Sequence, residues 1–254
     1  MFGATHIIYM VVSAIVSISV LILLHFMAKE DGQKLFALRF FAIITVIIHY
    51  SSLWVEYFKN GEAIADSSML LTVYPCNICM WLLLALSFIK DKNSLMFKLI
   101  SEFLFFGGTV CGIIGIVLNE NFGSNPTLLD YHVLKGMLSH STMVLGCIYI
   151  LVGGFIKIRV SNVVSVAAGL SFFVLNGIVI NTLYSVFDLP PCNSMYLLEP
   201  PFPDMPWLNT VAIGIAGVLI TFTVSAIYEL MALPKEERWY NVIKEKFNER
   251  RGTT

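Results

Sequence analysis

The sequence predicts an all-α protein: one polytopic membrane bundle of seven transmembrane helices, with its N-terminus outside and its C-terminus in the cytoplasm. Three observations carry this expectation. Hydrophobic residues fill 57% of the 254 positions and charged residues only 13%, against about 25% charged in an ordinary soluble domain. The apolar residues come in runs of about 20, the length that crosses a hydrocarbon core. The connections between the runs are short and polar, and basic residues are concentrated in alternate ones.

Taken in order, the predicted spans are residues 7–26, 35–54, 69–89, 95–118, 133–156, 160–183 and 208–233. Residues 1–6 lack the positive start of a cleavable signal, and the first apolar run is long enough to span. Lysine and arginine favour cytoplasmic loops. Lys29, Lys34 and Arg39 flank the first connection, Lys90, Lys92 and Lys98 the third, and Lys157 and Arg159 lie in the fifth. With six more in the tail, 14 of the 16 basic residues fall on one side, leaving only Lys59 and Lys135 on the other. Residues 1–233 therefore form the transmembrane domain. Residues 234–254 form a cytoplasmic tail, amphipathic or disordered, in which Trp239, Val242, Ile243 and Phe247 recur at helical spacing. This describes a multi-pass protein of the cell membrane whose expected partners are membrane lipids. No basic patch beyond the loops and tail points to nucleic acid, and no motif points to a cofactor or a metal. Oligomeric state has no signature in the chain.

Polar residues gather in one layer. At about 1.5 Å of rise per residue, Cys76 in the third span and His140 in the fifth both lie about 10 Å below the outer boundary. His49 and His6 lie near the outer ends of spans two and one, Asn176 and Asn181 in the outer half of span six, and Glu56, Asp188, Glu199 and Asp204 in the outer loops. The inner halves hold few comparable groups. Intramembrane polar residues are costly and face a bundle interior where they serve function, so the layer suggests a cavity open outward. The stretch "YPCNIC" places Cys76, Asn77 and Cys79 at a helix start, where backbone N–H groups favour a thiolate. Cys111 and Cys147 read as small apolar fillers. Five unevenly spaced cysteines make no disulfide framework. The last loop carries six prolines in twenty residues, "DLPPCNSMYLLEPPFPDMPW", which limits its freedom and suits a lid, with Tyr196 among its apolar residues.

A cysteine beside a histidine base is a recurring nucleophile for acyl transfer, with Asn77 or Asn181 available to orient the base or hold an oxyanion. A lipid ester is the natural substrate. The stretches "YPCNIC", "THII", "YHVLKGMLSHSTMVLG" and "NSMYLLEPP" resemble the YwaF-type bacterial membrane proteins, relatives of transmembrane protein 164 and, more distantly, of the androgen-inducible lipid hydrolases. The resemblance runs from the first span to the last. It implies an acyltransferase acting on glycerophospholipids, with the cysteine of a Pro-Cys pair and a histidine two helices later in the roles of Cys76 and His140. Many bacterial members carry histidine where this chain has Asn77, and their shared cysteine matches Cys79, so both thiols stand as nucleophile candidates. His49, His6 and Tyr196 join Asn77 and Asn181 as candidate substrate contacts. Two other functions fit the same residues: a non-catalytic protein that binds or transports a small ligand or lipid, and a thiol–disulfide oxidoreductase using Cys76 and Cys79, with Cys192 as a partner.

Overall fold

The computed structural model describes residues 3–61, 71–119, 127–202 and 204–252, and among them every regular element is helical. In chain order these are α1 (Ala4–Met27), α2 (Asp31–Asn60), α3 (Pro75–Phe88), α4 (Leu95–Val117), α5 (Tyr131–Val152), α6 (Asn162–Val186), α7 (Thr210–Ala232) and α8 (Trp239–Gly252). Six of them, α1, α2 and α4 to α7, are long and apolar enough to cross a membrane. The third is shorter than expected. Tyr74 is extended at φ −102° and Pro75 takes the first helical position, so the helix begins there rather than at residue 69. Proline lacks an N–H, suits that position, and biases the residue before it away from helical geometry. Met69 and Leu70 lie outside the described residues, and residues 71–74 make a turn. The 14 residues of α3 reach about 21 Å, less than the ~30 Å hydrocarbon core. By contrast, α2 runs on past the expected end at residue 54 to Asn60, where Gly61 at φ 72° closes it; that left-handed conformation is one glycine adopts without strain.

Local chemistry sets the other helix ends. Ser94 Oγ accepts from the Phe97 N–H, Asp130 from the His132 and Val133 N–H groups, and Asn209 from the Ala212 N–H. Each satisfies donors that a first helical turn leaves open. Glu30 and Gln33 complete a reciprocal box at the start of α2.

The bundle is built around α5, which packs against α2, α4, α3 and α1. Helix α6 covers α4, and α7 lies outermost on α6. The outer helices are apolar all round: on α1 only His6 and Leu21 are buried, while Ile8, Ile15 and Phe26 stay exposed, as expected of a surface that faces lipid. Helices α4 and α5 meet along a seam of small residues. Gly108 abuts the Cys147 sulfur, Gly112 abuts Val144 and Met143, and Gly115 abuts the His140 ring. Glycine at such spacing lets two backbones approach closely where lipid supplies no hydrophobic drive. A π-helical turn over Leu104–Gly108 precedes the seam.

The proline-rich loop forms a strap across the end of the bundle nearest Cys76. Its short helical turn, Ser194–Tyr196, holds Met195 and Tyr196 at φ 55° each, a sparsely populated conformation for residues with side chains. The Asn181 side chain on α6 accepts from the Ser194 N–H at 2.8 Å and donates to its carbonyl at 3.4 Å. Ser194 Oγ and the Met195 N–H both donate to the Val73 carbonyl. One turn back on α6, Asn176 accepts from Thr72 Oγ1 and donates to the Thr72 carbonyl. Strap and pre-α3 turn are thus one bonded unit.

At the opposite end, where the basic loops lie, two carboxylates are buried that the expected one-sided layer leaves out. Glu102 on α4 accepts from Ser165 Oγ on α6. Glu229 on α7 accepts from the Val160 N–H at 2.7 Å and the Trp239 N–H at 2.6 Å. That joint, with the Arg159–Glu237 ion pair at 2.8 Å, fastens the start of α8 to the bundle.

Candidate functional site

Three helices converge on one small cavity. Thr45 and His49 reach it from α2, Cys76, Asn77 and Met80 from the first turns of α3, and Ser139, His140 and Met143 from α5. Helical spacing explains the convergence: Thr45 and His49 are four apart, as are Cys76 and Met80, and Ser139 and Met143, so each pair shares a face. The cavity measures about 10 Å³, the room of roughly one water molecule.

The polar groups on its wall are held in definite roles. His140 Nδ1 donates to the Gly136 carbonyl at 2.8 Å. In the neutral ring this leaves the lone pair on Nε2, the tautomer a general base requires. Gly115 makes space for the ring, since a Cβ there would stand 2.1 Å from His140 Cδ2. The Cys76 thiol donates to Asn77 Oδ1 at 3.5 Å, while Asn77 Nδ2 donates to the Leu71 carbonyl at 3.3 Å. Asn77 therefore ties the thiol to the turn that the strap holds down. Thr45 Oγ1 bonds the Phe41 carbonyl and Thr142 Oγ1. His49 Nε2 is buried without a hydrogen-bond partner. An orphaned buried donor or acceptor costs about 1–3 kcal/mol, and on a cavity wall it is positioned to meet a bound molecule.

Four of the residues singled out in the sequence, Cys76, Asn77, His49 and His140, share this wall. The other four do not line it. Cys79 is fully buried one turn behind Cys76, its thiol facing Cys111 of α4. His6 donates through Nε2 to the Ile116 carbonyl at 2.9 Å, linking α1 to α4 inside the bundle. Asn181 does not line the cavity it was expected to share with His140, because both ends of its amide grip the strap backbone. Tyr196 stands on the strap, its ring 6.2 Å from that of Tyr74. Thr45, Met80, Ser139 and Met143 complete the wall; the four-residue spacings of Thr45 from His49 and of Met80 from Cys76, and the place of Ser139 beside His140, were their signals in the sequence.

A second, wider cavity of about 410 Å³ opens at the base of the strap, lined by Asn181, Tyr184, Ser185, Asp188, Leu189, Pro191, Cys192 and Leu198. Partial burial pushes the Cys192 thiol above its usual range, offset in part by a hydrogen bond from the Ser194 backbone. All five cysteines are free thiols. Among the described residues no group of three or more His, Cys, Asp or Glu side chains is arranged to hold a metal ion.

The model of the TMEM164 family matches residues 1–228 of the chain. No curated protein and no solved structure matches it.

Proposed function

The chain belongs to the TMEM164 family, and from that premise we propose that it is a membrane-embedded enzyme of lipid esters, an acyltransferase or ester hydrolase in which Cys76 is the nucleophile and His140 its base. One observation carries the reading: a thiol, two imidazoles and two hydroxyls from three helices face a single small space, and one imidazole nitrogen there has no partner. In the proposed sequence His140 Nε2 takes the thiol proton as sulfur attacks the ester carbonyl carbon. The tetrahedral oxyanion is stabilised by a hydrogen bond from His49 Nε2. Collapse breaks the ester C–O bond, the alkoxide takes the proton from His140, and a thioester remains on Cys76. A second alcohol, or water, gives its proton to His140, attacks the thioester and releases Cys76. Asn77 holds the thiol in place through the bond it accepts. The choice of Cys76 over Cys79 is supported by position, since only Cys76 lines the cavity.

In this reading the site opens outward, the N-terminus is outside, the short α3 completes a seventh crossing, and the protein resides in the cell membrane among its substrate lipids. Kinship with the YwaF-type bacterial proteins, and more distantly with the androgen-inducible lipid hydrolases, belongs to the same proposal. A cavity of water size admits an ester only if an element beside it moves. The bonded unit of strap and pre-α3 turn is the element the proposal assigns to that motion. Lipid analysis of membranes that carry the wild type and the Cys76→Ala, Cys79→Ala and His140→Ala variants tests the reading. Cys76→Ala and His140→Ala should each abolish the lipid change while the protein stays in the membrane. An undiminished change with Cys76→Ala would remove the mechanism. The wider cavity under the strap favours a second reading, in which the protein binds a small ligand or lipid without chemistry. A lipid that co-purifies equally with wild type and with His140→Ala, and with no thioester on Cys76, would favour it.

A further inference from the structure

Four thiols stand together inside the bundle. Cys76 and Cys79 are one turn apart on α3. Cys79, fully buried, has its thiol within hydrogen-bonding reach of Cys111 on α4, and Cys76 and Cys111 both pack against the core cluster that holds Cys79 and Cys147. Cys147 on α5 presses its sulfur against Gly108, one turn from Cys111 on α4. Cys111 and Gly115 share a face of α4, so Cys111 sits one turn below the His140 ring that covers Gly115. The four sulfurs differ in access. Cys76 lines the cavity, whereas Cys79 and Cys147 are sealed in the apolar core. An oxidant that reaches the cavity therefore meets Cys76 first.

We infer that Cys79 and Cys111 form a thiol relay that returns an oxidised Cys76 to its working state. The oxidant is an organic hydroperoxide, the class that arises from unsaturated acyl chains in the same bilayer. The Cys76 sulfur attacks the outer peroxide oxygen, the O–O bond breaks, and the alcohol leaves with a sulfenic acid on Cys76. Cys79 attacks that sulfur, expels water and forms a Cys76–Cys79 disulfide. Cys111 then attacks Cys79, and the Cys76 thiol leaves as the Cys79–Cys111 disulfide forms across α3 and α4. In sum two thiols and one hydroperoxide give one disulfide, one alcohol and one water. The geometry suits this direction of transfer: Cys76–Cys79 have Cys-x-x-Cys spacing at a helix start, the arrangement of thiol exchange enzymes, and Cys111 waits on the far side of Cys79. The chemistry deepens the proposed function, for it protects the nucleophile named there, but its readout does not depend on lipid turnover.

The test adds one equivalent of tert-butyl hydroperoxide to the purified full-length protein in lipid nanodiscs, blocks remaining thiols, and maps disulfides by mass spectrometry. The wild type should yield Cys79–Cys111 with Cys76 still free. Cys111→Ala and Cys111→Ser should instead trap Cys76–Cys79, with at least a tenfold loss of free Cys76. Adding dithiothreitol should restore it. Sulfinic acid on Cys76 of the wild type, or identical maps for wild type and the Cys111 variants, would overturn the relay. If lipid turnover survives Cys76→Ala while the wild-type map shows Cys79–Cys111, the enzymatic reading fails and the relay stands. The reverse pair of results rejects the relay alone.

Discussion

At the scale of single residues, the cavity wall makes sharp demands. His140→Ala removes the residue that serves as base in the proposed mechanism, and general base catalysis contributes about 10² to 10⁴ in rate; lipid turnover should fall by that order, with unchanged expression. His140→Gln is the finer probe, because it keeps a donor near the Gly136 carbonyl yet cannot accept a proton, and should be equally inactive. Gly115→Ala acts on the same ring from α4. A methyl there would stand 2.1 Å from the ring carbon, so the imidazole must leave its bond to Gly136. Activity should drop at least tenfold, and NMR of labelled histidine should show a changed tautomer. Cys192 gives a pH test with a definite sign. Burial raises its thiol, disfavouring the thiolate, so alkylation of Cys192 should remain slower than that of an exposed thiol and accelerate only as pH climbs past the ordinary thiol range.

At the scale of elements, the strap and the seam decide how the site is assembled. Replacing Asn181 with alanine deletes both of its bonds to Ser194, worth about 1 kcal/mol each. The strap should then loosen from Val73, which hydrogen exchange at residues 193–197 would register as faster exchange than in the wild type. Much of this level was legible in the sequence and some was not. Apolar runs of spanning length announced six of the helices because lipid tolerates no exposed backbone and demands that length. The same rule misplaced the start of α3, since hydropathy is blind to where a proline begins a helix. Counting residues from the expected span ends pairs His140 with Cys76, but Cys76 is the second residue of α3 and His140 the tenth of α5, so the two share the cavity although the helix start behind that count fails. Asn181 could not be placed, because depth says nothing of rotation about the helix axis, and its amide turned to the strap instead of the cavity. Cys111 and Cys147 read as apolar fillers, and both do pack in or against the apolar core; that they share it with Cys76 and Cys79 is a tertiary fact no residue spacing announces.

At the scale of the whole molecule, the two ends of the bundle are closed by different means, strap and turn at one, and Glu229 with the Arg159–Glu237 pair at the other. Glu229→Ala strands the Val160 and Trp239 N–H groups, a cost of about 1–3 kcal/mol each, and should free α8; limited proteolysis would cut near residues 233–238 in the variant and spare the wild type. In the proposed orientation that end lies in the cytoplasm, and a reporter fused after Thr254 should then be active only there. The shortness of α3 carries a consequence for the surrounding bilayer. Its 14 residues fall about 9 Å short of the ~30 Å a hydrocarbon core presents, and lipids bordering a short segment thin to match it. The glycerol region of neighbouring lipids, where their ester bonds lie, would then dip toward the level of Cys76. If α3 crosses the bilayer and the proposed chemistry holds, membrane thickness becomes an input to the reaction: reconstituted protein should turn over lipid faster in short-chain than in long-chain bilayers, and thick, ordered membrane regions should hold it nearly silent.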